Sequence, residues 1–276
     1  MPSPNTISAD KLARLLGRPD SPSLIDVRTE EDFDADPRLV PGAVRRSWKE
    51  VPAWGPAFAG TGRSAVVICR KGLKLSQGAA AWLRHQGIPT DVLEGGMVAW
   101  QAAKLPTVPV ESLPRRDAQG RTVWVTRSRP KVDRIACPWL IRRFVDPHAV
   151  FLYVAPSDVL DVADRFGATP FDVDHEDVHW SHRGERCTFD LMIEEFGLQT
   201  QALMRLATIV RGADTGRPDL APESAGLLAA SLGLSRMYAD DLAQLEAGLG
   251  LYDAFYRWCR DAVDEGHDWP PTARKS

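Results

Sequence analysis

One strand, loop and helix constrain this chain more than any other stretch. Residues 65–68 are apolar and mostly β-branched, which predicts a buried strand, and Cys69 follows at once. After a short basic loop, the alanine-rich residues 77–86 predict a helix that Gly87 ends. A cysteine at such a junction lies near converging backbone N–H groups and the positive end of a helix dipole.

The charges of this loop favour chemistry at Cys69. Arg70, Lys71 and Lys74 follow it closely, and nearby cations favour the thiolate, the form that attacks sulfur or carbon. The alternative is a buried core cysteine at a strand end. Because a core turn does not need three cations, the pattern favours a reactive thiol.

Strands alternate with helices through the first part of the chain. This order predicts an α/β fold with a parallel sheet covered on both faces, whose ligands lie at the carboxyl ends of the strands. The predicted strands are residues 23–28, 65–68 and 90–94, and the predicted helices are residues 7–16, 77–86 and 97–101.

The periodicity is lost in a proline-rich, charged stretch, which marks a domain boundary. We therefore expect a first domain over residues 1–109, a semi-rigid linker over 110–120 and a second domain over 121–276. With 276 residues, 44% of them hydrophobic, the chain is long enough for two cores.

The second domain is expected to combine a small α/β layer with an α-helical bundle. The predicted strands are residues 122–126, 150–154 and 169–173, and Asp133 is expected to cap the first helix between them. The remaining pattern is helical, over residues 189–196, 201–211, 225–232 and 238–263.

Residues 174–187 are a candidate metal site, because they hold three of the chain's six histidines together with carboxylates and a cysteine. Such ligands suit zinc or iron. The preferred ligands are His182, Glu185 and Cys187. The spacing matches no standard zinc signature, so a solvated loop is the alternative.

Two further features are candidates for ligand binding. A helix ending at Gly212 would place Asp214 just beyond it, where it could support a ligand or metal; a C-cap glycine with a turn aspartate is the alternative. Arg127 and Arg134 frame a strand–helix turn and could clamp an oxyanion, whereas a solvated basic face is the preferred interpretation for Arg129 and Lys131.

Four ordered landmarks lie within residues 7–109: Leu24-Ile-Asp-Val-Arg28, Val40-Pro-Gly-Ala43, the loop after Cys69, and Leu93-Glu-Gly-Gly-Met-Val-Ala-Trp100. In this order they resemble the rhodanese family of sulfurtransferases. The resemblance implies a parallel sheet with flanking helices, and a thiolate that takes a sulfane sulfur as a persulfide and hands it to an acceptor.

By motif position, the resemblance makes Cys69 the sulfur carrier, with Asp26 and Arg28 in supporting roles. Its anion cradle would be the N–H groups of Arg70, Lys71, Gly72, Leu73, Lys74 and Leu75. The family usually has an arginine where Lys74 stands and a histidine where Leu39 stands. Related phosphatases use a loop one residue longer that closes on arginine. That position here is Leu75, which favours sulfur transfer.

Motifs over residues 122–259 resemble the ChrB-type C-terminal domain of chromate resistance proteins. They are Trp124-Val-Thr-Arg127, Asp133-Arg-Ile-Ala-Cys-Pro-Trp-Leu-Ile-Arg-Arg-Phe144, Ser181-His-Arg-Gly-Glu-Arg-Cys-Thr-Phe189 and Arg211-Gly-Ala-Asp214. The resemblance implies a link to chromate tolerance. Regulatory members carry a DNA-binding N-terminal half, and this chain has a rhodanese-like half there instead.

Together these features predict a sulfurtransferase whose persulfide on Cys69 comes from a donor such as thiosulfate, coupled to a chromate-resistance domain that handles an oxyanion or metal. The alternative is a non-catalytic sensor that binds chromate, another oxyanion or a metal. Sulfur transfer needs no cofactor, whereas zinc or iron could bind the second domain. The expected partners are a small sulfur donor, a thiol or cyanide acceptor, and chromate.

Charge and cysteine usage suggest where the chain works. The net charge of −3 gives no general attraction to nucleic acid, so we expect no nucleic-acid partner. We expect no membrane association either, since no apolar run could span a bilayer. The first residues are polar and the four cysteines are dispersed, which favours reduced thiols in the cytoplasm.

Overall fold

The computed structural model describes residues 5–59 and 62–266. Residues 1–4, which belong to the polar start that favours the cytoplasm, lie outside the described residues. The strands are β1 (Thr6–Ile7), β2 (Ser23–Asp26), β3 (Arg38–Leu39), β4 (Ala43–Arg45), β5 (Ala65–Ile68), β6 (Thr90–Leu93), β7 (Val108–Pro109), β8 (Val123–Arg127), β9 (Val150–Val154) and β10 (Thr169–Pro170).

Helices flank and follow these strands. They are α1 (Ala9–Ala13), α2 (Glu30–Asp34), α3 (Val51–Trp54), α4 (Lys74–His85), α5 (Gly96–Ala102), α6 (Asp133–Phe144), α7 (Val159–Phe166), α8 (Thr188–Glu195), α9 (Gln201–Asp214), α10 (Glu223–Met237) and α11 (Asp241–Asp261). Among the described residues, no helix combines the length and apolar character needed to cross a bilayer.

A parallel sheet organises the first half, with strand order β1-β6-β5-β2-β4. Side chains alternate across it: Val67 packs with Leu83 of α4 on one face, whereas Val66 belongs to the cluster containing Trp100 of α5 on the other. The predicted α/β fold with flanking helices is therefore confirmed, and Cys69 follows the central strand of this sheet.

The second half begins with a smaller parallel sheet, in the order β10-β8-β9. Helices α8 to α11 follow it and pack against one another and against α6. This agrees with the predicted small α/β layer and helical bundle.

A proline lies in the middle of α6, where it removes one backbone hydrogen bond. Pro138 has no N–H to donate to the carbonyl of Arg134, four residues earlier. The Tyr153 hydroxyl donates to that carbonyl instead, at 3.0 Å. A side chain from β9 thus satisfies the acceptor that the proline leaves free.

The prediction that a helix ends at Gly212 is wrong, because α9 continues to Asp214. Gly212 allows close packing at this position, and it does not end the helix. A Cβ there would contact the Ser224 hydroxyl and lie 2.8 Å from the Arg217 carbonyl oxygen. The helix α4 also begins earlier than predicted, at Lys74, which brings its N-terminus to the Cys69 loop.

The two halves share one apolar core, in which Trp100 belongs to the same buried cluster as Trp139. The Gly42 N–H donates to the Phe144 carbonyl at 2.6 Å. Gly17 has a φ of 71°, and a Cβ on it would contact the rings of Phe144 and Tyr256.

The stretch between the halves is also packed. The Val110 N–H donates to the Pro37 carbonyl oxygen at 2.9 Å, and the Arg116 guanidinium lies 3.2 Å from the Asp146 carboxylate. The boundary over residues 110–120 stays a prediction, and the structure shows that this segment contacts the protein on both sides of it.

Candidate functional site

The Cys69 loop is fixed at both edges by the start of α5. Cys69 directly follows β5 and its residue surface is 5% exposed. Its carbonyl oxygen accepts a hydrogen bond from the Met97 N–H at 3.0 Å, and the Arg70 carbonyl oxygen accepts one from the Val98 N–H at 3.1 Å. The loop conformation is therefore set by its neighbours and not only by its own sequence.

The backbone N–H groups of this loop are free. Within the described residues, none of those from Arg70 to Leu75 donates a hydrogen bond. The loop runs directly into α4, which begins at Lys74 and spans 12 residues. Successive unpaired N–H groups at a helix N-terminus form the kind of environment that binds an anion.

Two glycines bring the loop and the turn before α5 into backbone contact. Gly72 and Gly96 have φ values of 69° and 59°, which residues with a side chain rarely adopt. A Cβ on Gly96 would contact the Cys69 carbonyl oxygen and lie 2.6 Å from the Gly72 nitrogen. Gly72 and Gly96 therefore allow the cysteine loop to lie directly against the start of α5.

The loop and the start of α4 carry three cationic side chains, and one of them forms a salt bridge. The Arg70 guanidinium lies 3.0 Å from the Asp32 carboxylate of α2. Lys71 and Lys74 are exposed and form no salt bridge within the described residues. They leave two uncompensated positive charges beside Cys69, although Lys74 lacks the bidentate fork of an arginine.

Asp26 and Arg28 form a buried pair that supports the surrounding turn. The Arg28 Nη2 lies 2.6 Å from Asp26 Oδ2. The same guanidinium donates to the carbonyl oxygens of Asp36 at 3.0 Å and Arg38 at 2.6 Å. Both side chains are almost fully buried, so they fix the turn before β3 and do not face a ligand.

Ser76 is the closest polar side chain to the Cys69 thiol. The Cys69 Sγ lies 3.1 Å from Ser76 Oγ, which is also 3.1 Å from the Leu73 carbonyl oxygen. The hydroxyl carries one proton, so it donates either to that carbonyl or to sulfur. When Cys69 ionises, only donation toward sulfur stabilises the charge.

Replacing Ser76 by alanine is expected to slow alkylation of Cys69 by iodoacetamide about 10-fold, because a hydrogen bond to a charged group contributes about 1.5–3 kcal/mol. The rate is measured at neutral pH, with the labelled site identified by peptide mass. Ser64→Ala, an exposed change just before β5, is the matched control and should react like the unmodified chain. Equal rates for both variants would remove Ser76 from the site.

A second cluster lies in the other half, around the imidazole of His182. Its Nε2 lies 3.1 Å from Asp214 Oδ2, 3.3 Å from Asp172 Oδ1 and 3.6 Å from Asp133 Oδ2. Asp133 is the first residue of α6, Asp172 comes two residues after β10, and Asp214 is the last residue of α9. The cluster thus lies at the carboxyl edge of the small parallel sheet, where α/β folds bind ligands.

Electrostatics in this cluster are dominated by its carboxylates. Hydrogen bonds to Asp133, Asp172 and Asp214 raise the pKa of His182 to about 12. Burial, together with the charge of Asp214, raises the pKa of Asp133 to about 7. The site therefore has more negative than positive charge, and it retains protons to compensate.

Arg127 and Arg134 meet at the strand–helix turn, but both face a carboxylate of the protein. Each guanidinium has a nitrogen 3.3 Å from Asp172 Oδ2. Asp172 thus occupies the place predicted for a bound oxyanion. Oxyanion binding by these two arginines would first require them to leave Asp172.

The structure brings together only part of the predicted metal ligand set. His182 and Asp214 are adjacent, whereas Glu185 is exposed and outside the group that could hold an ion. The Cys187 thiol is buried and donates to Asp190 Oδ2 at 3.3 Å, so it caps α8 and does not join His182.

Sequence reasoning missed Asp133 and Asp172 as members of the cluster. A signal was present, because Asp172 falls within a predicted strand's carboxyl end and Asp133 follows another. The rule that placed Cys69 at such an edge applies equally to them.

Two family models match the chain: the rhodanese-like domain over residues 8–103 and the ChrB C-terminal domain over residues 124–259. A curated relative, Protein ChrB of Cupriavidus metallidurans, is 38% identical over 149 residues. That match covers 52% of this chain and 44% of the relative, so the chain spans less than half of that protein's length.

Solved structures similar to this chain cover about its first third. Thiosulfate sulfurtransferase from Pseudomonas aeruginosa is 32% identical with a TM-score of 0.35, over 41% of this chain and 21% of that one. A rhodanese-like domain protein from Staphylococcus aureus is 26% identical with a TM-score of 0.31, over 35% and 90% of the two chains. A possible tyrosine phosphatase from Rhodopseudomonas palustris is 25% identical with a TM-score of 0.34, over 37% and 83%.

Proposed function

This chain joins a rhodanese-like domain to a ChrB C-terminal domain, and from that premise we propose that it is a sulfurtransferase that carries sulfane sulfur as a persulfide on Cys69. The observation that carries the proposal is the loop after β5, where a cysteine is followed by six unpaired backbone N–H groups. Such a cradle suits a thiolate nucleophile together with an anionic donor.

The proposed reaction has two balanced steps. The Cys69 thiolate attacks the outer sulfur of thiosulfate, a Cys69 Sγ–S bond forms, and the donor's S–S bond breaks with its electron pair leaving on sulfite. A thiolate or cyanide then attacks the outer sulfur of the persulfide, and Cys69 leaves as the thiolate. The loop N–H groups, Lys71 and Lys74 would stabilise the negative charge in both steps.

The other cysteines are poor candidates for the sulfur carrier. Burial raises the pKa of the Cys137 and Cys187 thiols well above the usual value. Burial also raises the pKa of the Cys259 thiol to about 11. These three thiols therefore stay protonated near neutral pH, and the thiolate is the nucleophilic form.

Phosphate chemistry is less well supported than sulfur transfer. Six residues after Cys69 the chain has Leu75, where a bidentate arginine would be needed to hold a phosphoryl group. The loop therefore offers backbone N–H groups and single point charges, which suit the smaller charge of a persulfide.

Mass mapping of the thiosulfate-treated chain tests the proposal. We expect the full chain to gain one sulfur atom, located on the peptide that contains Cys69, and to lose it when cyanide is added. An unmodified Cys69 peptide, or sulfur on another cysteine, would contradict the mechanism.

We place this sulfur transfer in chromate resistance, which the ChrB C-terminal domain supports. Thiosulfate and chromate are both oxyanions, so the two halves of the chain would handle chemically related anions. A strain lacking this chain should grow less well than its parent in chromate. Equal growth would remove the chromate part of the proposal and leave the sulfur chemistry to the mass experiment.

A further inference from the structure

We propose that Asp133, His182 and Asp214 bind one divalent transition-metal ion at the carboxyl edge of the small sheet. The three ligands come from the start of α6, the loop before α8 and the end of α9. This site is separate from Cys69, and the proposal stands or falls independently of sulfur transfer.

The spacing of the cluster fits a single ion. Two ligand atoms held about 2.1 Å from one metal lie about 3.0 Å apart at right angles and about 3.4 Å apart in a tetrahedron. The His182 Nε2 lies 3.1 Å from Asp214 Oδ2 and 3.6 Å from Asp133 Oδ2. Small movements of an exposed loop histidine would complete such a geometry.

One buried carboxylate oxygen of the cluster has no hydrogen-bond partner among the described residues. Asp133 is 0% exposed, and its Oδ1 makes no hydrogen bond to any described residue. It belongs to the carboxylate whose Oδ2 faces His182 and accepts the Phe189 N–H at 3.3 Å. A buried carboxylate oxygen without a hydrogen-bond donor or cation is costly, and a metal ion would satisfy it.

Among the described residues, the hydrogen-bond donors are too few to pair every carboxylate oxygen of the cluster. A single Nε2–H cannot donate well to three carboxylates at once. Asp172 is the carboxylate that finds other partners, since Arg127 and Arg134 both pair with it. Asp133 and Asp214 share one imidazole as a side-chain partner among the described residues, beside the Phe189 N–H on Asp133 Oδ2 and the Asp133 N–H on Asp214 Oδ1. Two carboxylates would match the charge of a divalent ion.

The ligand types narrow the choice of metal. Two carboxylates with one imidazole and no thiolate suit Mn²⁺, Fe²⁺ or Zn²⁺ better than a soft ion such as Cu⁺. His182 also lines an open depression of about 510 Å³, together with Asp174 and Glu176.

Metal titration of the chelator-stripped full chain tests the site. Manganese binding is followed by loss of the free-ion electron paramagnetic resonance signal, and zinc binding by calorimetry. We expect one ion per chain, bound at least about 100-fold more weakly after His182→Ala or Asp214→Asn, since each removes a direct ligand. His179→Ala is the matched control because this exposed histidine of the same loop pairs with Glu195 and lies outside the cluster.

Two results of this titration would contradict the metal site. Absence of binding to the unmodified chain, or equal binding by His182→Ala, would overturn the proposal. If Asp214→Asn fails to fold, His182→Ala still decides, because the His182 side chain is 40% exposed and belongs to the loop before α8. Cobalt replacement gives a further readout: an intense thiolate-to-cobalt band would show that a cysteine binds the ion and would contradict the set proposed here.

Discussion

Replacing Cys69 by serine is expected to lower thiosulfate-to-cyanide sulfur transfer by about 10³-fold or more. Serine keeps the shape of the side chain and its hydrogen bond to Ser76, so the loop should fold as before. Its hydroxyl does not ionise at neutral pH and cannot carry sulfane sulfur, and removing a covalent nucleophile typically costs at least this much.

The control for this substitution is another cysteine of the chain. Cys259→Ala removes a buried thiol of α11, far in sequence from the loop, and should leave thiocyanate production unchanged. Production is measured at several thiosulfate concentrations so that binding and turnover separate. If the serine variant kept a tenth of the activity, Cys69 would not be the sulfur carrier.

Replacing Gly96 by alanine is expected to reduce sulfur transfer about 100-fold and to destabilise the fold by about 3 kcal/mol. The new Cβ would overlap the backbone of the cysteine loop at Cys69, Arg70 and Gly72. It would also impose a φ of 59° on a residue with a side chain. Because all of these contacts are backbone atoms, the loop must shift to make room.

Gly78→Ala provides the matched control for Gly96→Ala. Gly78 lies in α4, directly after the same loop, and a Cβ there would meet no atom within 4 Å. Alanine in a helix stabilises by about 0.5–1 kcal/mol relative to glycine, so this variant should be slightly more stable and fully active. Denaturant unfolding and transfer rates are measured for both variants, and equal behaviour would mean that the glycine turn does not shape the loop.

Local patterns were sufficient to predict where Cys69 lies in the fold. The β-branched run before Cys69 has one structural solution, a buried strand, because both of its faces are apolar. The basic loop and the helix after it follow directly in sequence. No distant partner was needed to place Cys69 between a strand and a helix N-terminus.

The second cluster could not be assembled from local patterns. Its members lie far apart in sequence, and their meeting depends on β10 pairing with β8 and on α9 extending to Asp214. Glu185 and Cys187 are close to His182 in sequence, which made them attractive as ligands. The chain turns Cys187 toward Asp190 instead, because the thiol and that carboxylate cap α8 together.

Arginine pairing was also beyond sequence reasoning. Arg127 and Arg134 frame the expected turn, but their partner, Asp172, reaches them only through the parallel pairing of β10 and β8. The sequence position of a charged group can predict that the group needs a partner. It does not predict which residue that partner is.

The shared core has a consequence for exchanging either half of this chain with a half from another protein. Gly17 of the first half has no room for a side chain because the Phe144 and Tyr256 rings of the second half lie against it. A rhodanese-like domain borrowed from an unrelated protein, with an ordinary residue at that position, would collide with those rings. Exchanging either half for that of another protein would therefore require the new contact surface to be fitted to these rings.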